Sequence, residues 1–302
     1  MKKLKWIFLG LGAICLVIGA MGLRLAHAIE IEQLSDDLWV LYGAGGNVAV
    51  LRTGEGTVIV DTMTLSYQGE RIRDIAEELT GSAVVMIINS HYHLDHTHGN
   101  PAFPVGTRVL SSARTLDHLN ALDAEYFSGS ASALLPNETF SATRRLQVGN
   151  KNLTLYSPGR GHTDGDIVVL FEQERVVHAG DLFFNKHYPN IDLEAGGSVQ
   201  RWSSTIENIF DLDFDRVIAG HGPTASPEEL RNFQRFTGQL AELARSSASG
   251  EEGLEQFLLQ AQLDADAGYT EIRMLVSLGL DREFVLTRAW QEVHNEYQLL
   301  TH

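Results

Sequence analysis

Between residues 29 and 61 short β-like runs recur at 29–32, 38–42, 47–51 and 57–60, parted by Ser-Asp-Asp, Gly-Ala-Gly-Gly and Gly-Glu-Gly. Runs of this length bounded by turn formers read as a meander of strands. The spacing then changes, because Ile72, Ile75, Ala76 and Leu79 recur on one helical face and predict a helix over 68–79. The continuous apolar run at 83–89 reads as a strand covered on both faces. A second series predicts a helix over 113–124, strands near 139–146, 153–156, 167–171 and 176–179, a helix over 199–210 and a strand over 216–219. Two successions of strands followed by helix predict two sheets packed face to face with helices outside. No short-period repeat interrupts this order.

After Pro227 the pattern is helical, at 228–245, 254–263, 270–278 and 282–300, with a Ser-Ser-Ala-Ser-Gly break at 246–250. Leu230, Phe233, Leu240 and Leu243 fall near one face, which is expected to pack on the main domain or on a second copy of the chain in a homo-oligomer. The organisation read from this pattern is a catalytic domain over 29–226 and a C-terminal helical extension over 227–302.

Residues 1–28 stand apart. Three lysines precede an apolar run from Trp6 to Leu23, and Ala26-His27-Ala28 has the small-x-small form of a cleavage site. This predicts a signal peptide cut after Ala28, or a signal anchor if it stays, and in both cases an exported, periplasmic chain that meets the membrane only through this segment. Cys15, the only cysteine, lies inside the run. A metal held by the rest of the chain must therefore be held by nitrogen and oxygen.

The formal charge is −16, and Lys2, Lys3, Lys5 and Arg24 lie before Ile29 with no acid among them, which leaves −20 on the remainder. Such a surface repels phosphate backbones, so nucleic acid is excluded as a partner and a small-molecule substrate is expected.

The chemistry is concentrated in Ser90-His91-Tyr92-His93-Leu94-Asp95-His96-Thr97-His98-Gly99-Asn100. In an extended segment His91 and His93 project to one side, while Asp95 and His96 follow where the chain must turn and face a neighbouring position. One segment could thus serve two cations. Downstream, His162 lies in Gly-Arg-Gly-His-Thr-Asp-Gly-Asp, Asp181 in Ala-Gly-Asp-Leu-Phe and His221 in Ala-Gly-His-Gly, each beside glycine at a strand end, where backbone can approach an ion closely. No serine or cysteine nucleophile stands in a recognisable motif.

In order and spacing, His-Tyr-His-Leu-Asp-His, Gly-Arg-Gly-His-Thr-Asp-Gly-Asp, Ala-Gly-Asp-Leu-Phe and Ala-Gly-His-Gly resemble the metal motifs of the metallo-β-lactamase superfamily, over roughly residues 29–226. The resemblance implies an αββα sandwich of two mixed sheets with a pair of zinc ions at one edge, iron or manganese being the alternative ions. It implies that His91, His93 and His162 bind the first ion, that Asp95, His96 and His221 bind the second, and that Asp181 bridges them. Asp61 would orient ligands through hydrogen bonds. Two such ions would activate a shared water for attack on a carbonyl, with Asp95 steering it and taking its proton.

Two branches of the family pull apart. Gly-Arg-Gly-His-Thr-Asp-Gly-Asp and the segment 201–209 resemble the zinc β-lactamases, yet Asp181 stands where those enzymes carry cysteine, His96 where they have serine, and Phe184 where they place a lysine that grips the drug carboxylate. Lys186 and Asn190 are the nearby candidates to replace that lysine in substrate binding. The Asp181 ligand set resembles instead glyoxalase II, the lactonases and other acyl hydrolases. The expectation is a dinuclear zinc hydrolase of a small ester, lactone, thioester or β-lactam amide. A dedicated periplasmic β-lactamase and a non-catalytic zinc-binding protein on the same fold are the alternatives.

Overall fold

The computed structural model describes residues 28–247, 253–272 and 278–297. The leader expected at residues 1–28 lies, apart from Ala28, outside them. The first sheet joins, in the order of the chain, β1 (Glu30–Gln33), β2 (Leu38–Tyr42), β3 (Val48–Thr53), β4 (Gly56–Val60), β5 (Val84–Ile88), β6 (Arg108–Ser112) and β7 (Glu138–Phe140). Strands β1 to β4 run antiparallel and β4 to β7 parallel. The second sheet has the order β12-β11-β10-β9-β8, from β8 (Thr143–Val148), β9 (Lys151–Tyr156), β10 (Val168–Phe171), β11 (Val176–His178) and β12 (Arg216–Ile218). Only its β11–β12 pair is parallel, so both sheets are mixed.

Alternation along the strands builds four layers. Ala49, Leu51, Val58 and Val60 turn inward and meet Leu155, Val169 and Phe171 of the second sheet. Their neighbours Val48, Val50 and Ile59 turn outward, onto Ile72, Ile75 and Ala76 of α1 (Ser66–Thr80). On the opposite side Val168, Leu170 and Val177 pack beneath Trp202 and Ile206 of α4 (Val199–Ile209), Phe233 and Leu240 of α5 (Pro227–Ser247), and Leu286 and Trp290 of α7 (Arg282–His294). Each such buried side chain contributes roughly 1.5–3 kcal/mol relative to exposure. The helices after Pro227 thus share a core with the second sheet. Between them lies α6 (Leu254–Gln260), whose Phe257 is buried in the same cluster.

Three readings differ from the expected pattern. The single strand expected near 139–146 is two strands in different sheets, β7 and β8, with the chain crossing at Ser141-Ala142. A run of β-formers carries no mark of a change of sheet. Strand β6 was not predicted, because only Val109 and Leu110 are apolar there; its pairing with β5 and β7 makes it a strand, and α3 (Ala113–Leu122) follows it directly. The helix expected over 270–278 is not one at its start, where Thr270 bridges His187; residues 273–277 lie outside the described ones.

This architecture brings the turns after β4, β5, β11 and β12, and the loop before β10, to one edge of the sandwich. Backbone hydrogen bonds tie them together: Asp61 N–H to Ile88 O at 2.9 Å, Ile167 N–H to Ser90 O at 2.9 Å, Gly220 N–H to Gly180 O and Asn47 N–H to Gly220 O at 2.8 Å each.

Candidate metal centre

At that edge β5 ends, and His91 and His93 precede the short helix α2 (Leu94–Thr97), which carries Asp95 and His96. The remaining three candidates arrive from the second sheet. The ligand atoms gather in two groups, His91, His93, His162 and Asp181, and Asp95, His96 and His221, with the atoms of each group within 4.8 Å of one another. Asp181 reaches both groups with different oxygens. Its Oδ2 lies 3.8 Å from Nε2 of both His91 and His162, and its Oδ1 lies 3.1 Å from His96 Nε2 and 3.5 Å from His221 Nε2.

Each imidazole is oriented by what its other nitrogen touches. A carboxylate can only accept, so His96 Nδ1–H donates to Asp61 Oδ2 at 2.7 Å and His162 Nδ1–H to Asp166 Oδ1 at 3.2 Å. Ser90 Oγ–H donates to Asp61 Oδ2 at 2.7 Å, and Ser90 Oγ in turn accepts from His91 Nδ1–H at 3.0 Å. In these three rings Nε2 is left facing the cluster. His93 is turned the other way: its Nε2–H donates to Asp192 Oδ2 at 2.9 Å, so Nδ1 is the free ligand atom. Such partners fix tautomer and ring orientation and raise ligand basicity.

The donor set fits a metal. His91, His96 and His162 each leave Nε2, and Asp181 leaves Oδ1, buried without a hydrogen bond. Buried polar atoms without partners are costly, and four of them gathered in two adjoining groups of possible ligands is an arrangement that cations satisfy. Ligand bonds of about 2.0–2.2 Å to nitrogen and oxygen would span these separations. With no thiolate among them, the donors suit a divalent metal of the zinc kind.

The electrostatics agree. Burial alone would raise Asp181, but His96, His221 and His91 around it hold its carboxyl well below the usual range. Asp95 is lowered as well, by His96 and His221 against its own burial. Burial would lower His96, and Asp181, Asp95 and Asp61 reverse this and raise it well above its ordinary value. His221 is raised to about 9 by Asp181 and Asp95, again against burial. The carboxylates thus stay ionised and demand positive charge beside them.

Of the other residues singled out from sequence, Asp61 stands at the centre of the orienting bonds, its carboxylate also accepting Ser90 N–H at 2.8 Å. It sits in the left-handed region at φ 66°, an uncommon conformation for a non-glycine residue, held because its side chain has three partners here. Asn190 lines the cleft over the ligands, whereas Lys186 is exposed and lines a separate cavity with Asn232 and Arg235. His98 turns away to Asp123 at 2.7 Å and stacks on Tyr126. Ser90, Asp166 and Asp192 were not anticipated. Asp166 follows His162 by four positions inside the quoted motif and could have been found there; Asp192 lies 99 positions from His93 and has no local signal.

Two glycines make room for the ligands. A Cβ at Gly46 would fall 2.1 Å from His96 Cε1, and one at Gly220 would fall 2.0 Å from Asp181 Oδ1 and 2.7 Å from the Gly180 backbone. Asp181 must turn away to admit a methyl group at Gly220. Gly220→Ala is therefore expected to weaken metal binding at least about tenfold, the lower end of the cost of disturbing a ligand's support. Competition against a chromophoric chelator measures this, with circular dichroism as the check on folding.

The family model of the Metallo-beta-lactamase superfamily matches residues 41–221. The "Metallo-beta-lactamase type 2" of Elizabethkingia meningoseptica is 27% identical over 245 residues, covering 73% of this chain and 89% of the relative. That of Bacillus sp. (strain 170) is 28% identical over 204 residues, covering 64% and 76%. Among solved structures, the metallo-beta-lactamase from Pontibacter korlensis superposes with a TM-score of 0.60 at 22% identity, over 70% of this chain and 99% of that one.

Proposed function

Since the chain belongs to the metallo-beta-lactamase superfamily and is a metal-dependent hydrolase, we propose that it holds two divalent cations, zinc by preference, and cleaves a small acyl compound. The observation that carries this reading is the set of buried, unpartnered ligand atoms, three imidazole Nε2 and Asp181 Oδ1, that divide between two groups joined by one carboxylate. His91, His93 and His162 would hold the first cation, Asp95, His96 and His221 the second, and Asp181 both.

When bound, such cations lower the pKa of a water toward neutrality and polarise a carbonyl. The residues supply the rest. Asp61, Asp166 and Asp192 hold the imidazoles in the tautomers that leave a lone pair facing inward. Asp95 is 25% exposed at the floor of the cleft, with Oδ2 3.2 Å from His221 Nε2. Kept ionised by its histidine neighbours, it is placed to accept the proton released as water attacks and to return it to the departing oxygen, sulfur or nitrogen.

The names of the curated relatives favour a second reading, a dedicated β-lactamase. Metal analysis of the purified chain, together with turnover of a cephalosporin, a lactone and a thioester, tests both. Two equivalents of zinc with turnover of any acyl substrate supports the hydrolase reading; turnover of the cephalosporin alone supports the second. Two bound zinc ions with no turnover of any of the three would sink both.

A further inference from the structure

Two imidazoles of the first ligand group rest on one loop. Asp192 Oδ2 accepts from His93 Nε2–H at 2.9 Å and from the Tyr92 hydroxyl, while the Asp192 backbone N–H donates to His162 O at 3.1 Å. The loop also closes on itself, since Asp192 Oδ1 accepts from Ala195 N–H at 2.9 Å and Asp192 O from Gly197 N–H at 2.8 Å. It lies so close beneath the ligands that a Cβ at Gly197 would fall 2.3 Å from His162 O. Displacing the loop therefore disturbs His93 and His162 together. The second group is oriented from elsewhere: His96 by Asp61, and the His221 turn by Asn47, whose side-chain amide donates to Ala219 O at 2.9 Å and to Gly222 O at 2.7 Å.

The far side of the loop is gripped by α7. Arg288 donates from Nε to Ile191 O at 2.9 Å and from Nη1 to Glu194 Oε1 at 3.0 Å, and its Nη2 pairs with Glu194 Oε2. One turn later Glu292 accepts from the Ser198 hydroxyl and from Gln200 N–H, the latter at 3.2 Å. Residues four apart share a helix face, so one face of α7 holds the loop at both ends. The helix is itself fixed, because Leu286, Ala289 and Trp290 are buried in the core beneath it.

We propose that the C-terminal extension supports the metal centre, with Arg288 as a positioning residue that holds Asp192, and through it His93 and His162, where a cation needs them; the consequence for metal rests on the two-cation reading above. Three arguments carry it. A forked guanidinium that meets a backbone carbonyl and a carboxylate at once fixes direction as well as distance, which a loop between a strand and a helix otherwise lacks. The Arg288 side chain is only 14% exposed, so its pairing with Glu194 is shielded from the solvent that weakens surface pairs. And ligands must be held to within about 0.5 Å of their productive positions, a tolerance that an untethered loop does not meet. Arg288 and Glu292 both lie beyond the segment 41–221 that carries the family match, so this support comes from the part of the chain that the match leaves out.

Zinc competition against a chromophoric chelator tests the proposal in a His221→Gln chain, where the first group remains complete. Arg288→Ala is expected to weaken binding there about tenfold, the lower end of the cost of losing a ligand's outer support. Arg288→Lys, which keeps the charge and one donor direction but not the fork, should fall between that and the parent. Combined with Asp192→Asn, Arg288→Ala should cost less than the product of the two separate losses, because both act along one route. Long-range proton–nitrogen NMR of the chelator-treated full chain gives a reading that needs no metal: His93 protonated at Nε2 in the parent, and a mixture of tautomers in Arg288→Ala. Unchanged zinc affinity and an unchanged His93 tautomer in a folded Arg288→Ala chain overturn the proposal, even if its melting temperature falls, and so does full multiplicativity with Asp192→Asn. If Arg288→Ala does not fold, Arg288→Lys carries the same readings with the same signs. Should the parent bind no zinc at all, the two-cation reading fails, and the His93 tautomer alone decides whether Arg288 holds the loop.

Discussion

Asp181→Asn is expected to reduce kcat/KM on any acyl substrate by at least about 10²-fold, the upper end of what is lost even when an outer partner of a metal ligand is removed. The expectation follows from where its two oxygens lie. Oδ2 addresses the His91 and His162 side and Oδ1 the His96 and His221 side, so one residue serves both groups. The amide keeps the shape but surrenders the charge, and an amide nitrogen cannot act as a ligand lone pair. Metal content measured alongside the rate gives the sharper outcome: stoichiometry should fall below that of the parent chain. A variant that retained two zinc ions and near-parent turnover would show that Asp181 does not join two sites. The effect should exceed that of Asp192→Asn, which alters the group that accepts from His93, Tyr92 and the Ala195 backbone N–H but leaves every proposed ligand in place.

How much of this was visible in the chain depends on whether a signal was local. The sandwich was legible, because inward and outward residues of β3, β4 and β10 are apolar on both faces and read as continuous runs. The gathered residues were legible as residue types too, since each sits at a strand end beside glycine or within a dense histidine segment. What was hidden is non-local. Nothing in Arg108–Ser112 marks a strand until β5 and β7 flank it. Nor does the sequence near Asp192 indicate that it will orient His93, or that near Ile272 and Leu278 that they will wall a cleft built by the other end of the chain. Glycine is the intermediate case. Gly46 and Gly220 stand out in the sequence as small, but only the approach of His96 and Asp181 explains why they must be. Lys186 illustrates the reverse: nearness in sequence to Phe184 suggested a place in the cleft, whereas it lines another cavity, beside Asn232 and Arg235.

Zinc at about a thousand times its dissociation constant is expected to raise the melting temperature by roughly 10 °C relative to chelator-treated protein, since a ligand bound only to the folded state contributes about 4 kcal/mol at that excess and each kcal/mol shifts a chain of this size by about 2–4 °C. The unfolded chain scatters these ligands across 131 positions, from His91 to His221, and has no comparable site. The dependence on pH fixes the sign. His96 and His221 are raised in the metal-free fold, so their contribution is fully present below the unfolded value of about 6.5 and is lost as pH rises through the folded value, about 9 for His221. A cation must displace those same protons before it can bind. Metal-free protein should therefore lose stability between about pH 6.5 and 9, while proton competition against zinc weakens across the same interval. The gap between zinc-loaded and metal-free melting temperatures should widen with rising pH, and differential scanning fluorimetry at fixed free zinc measures it directly. A gap that stays constant or narrows toward pH 9 would mean that His96 and His221 are not the groups exchanging a proton for the metal.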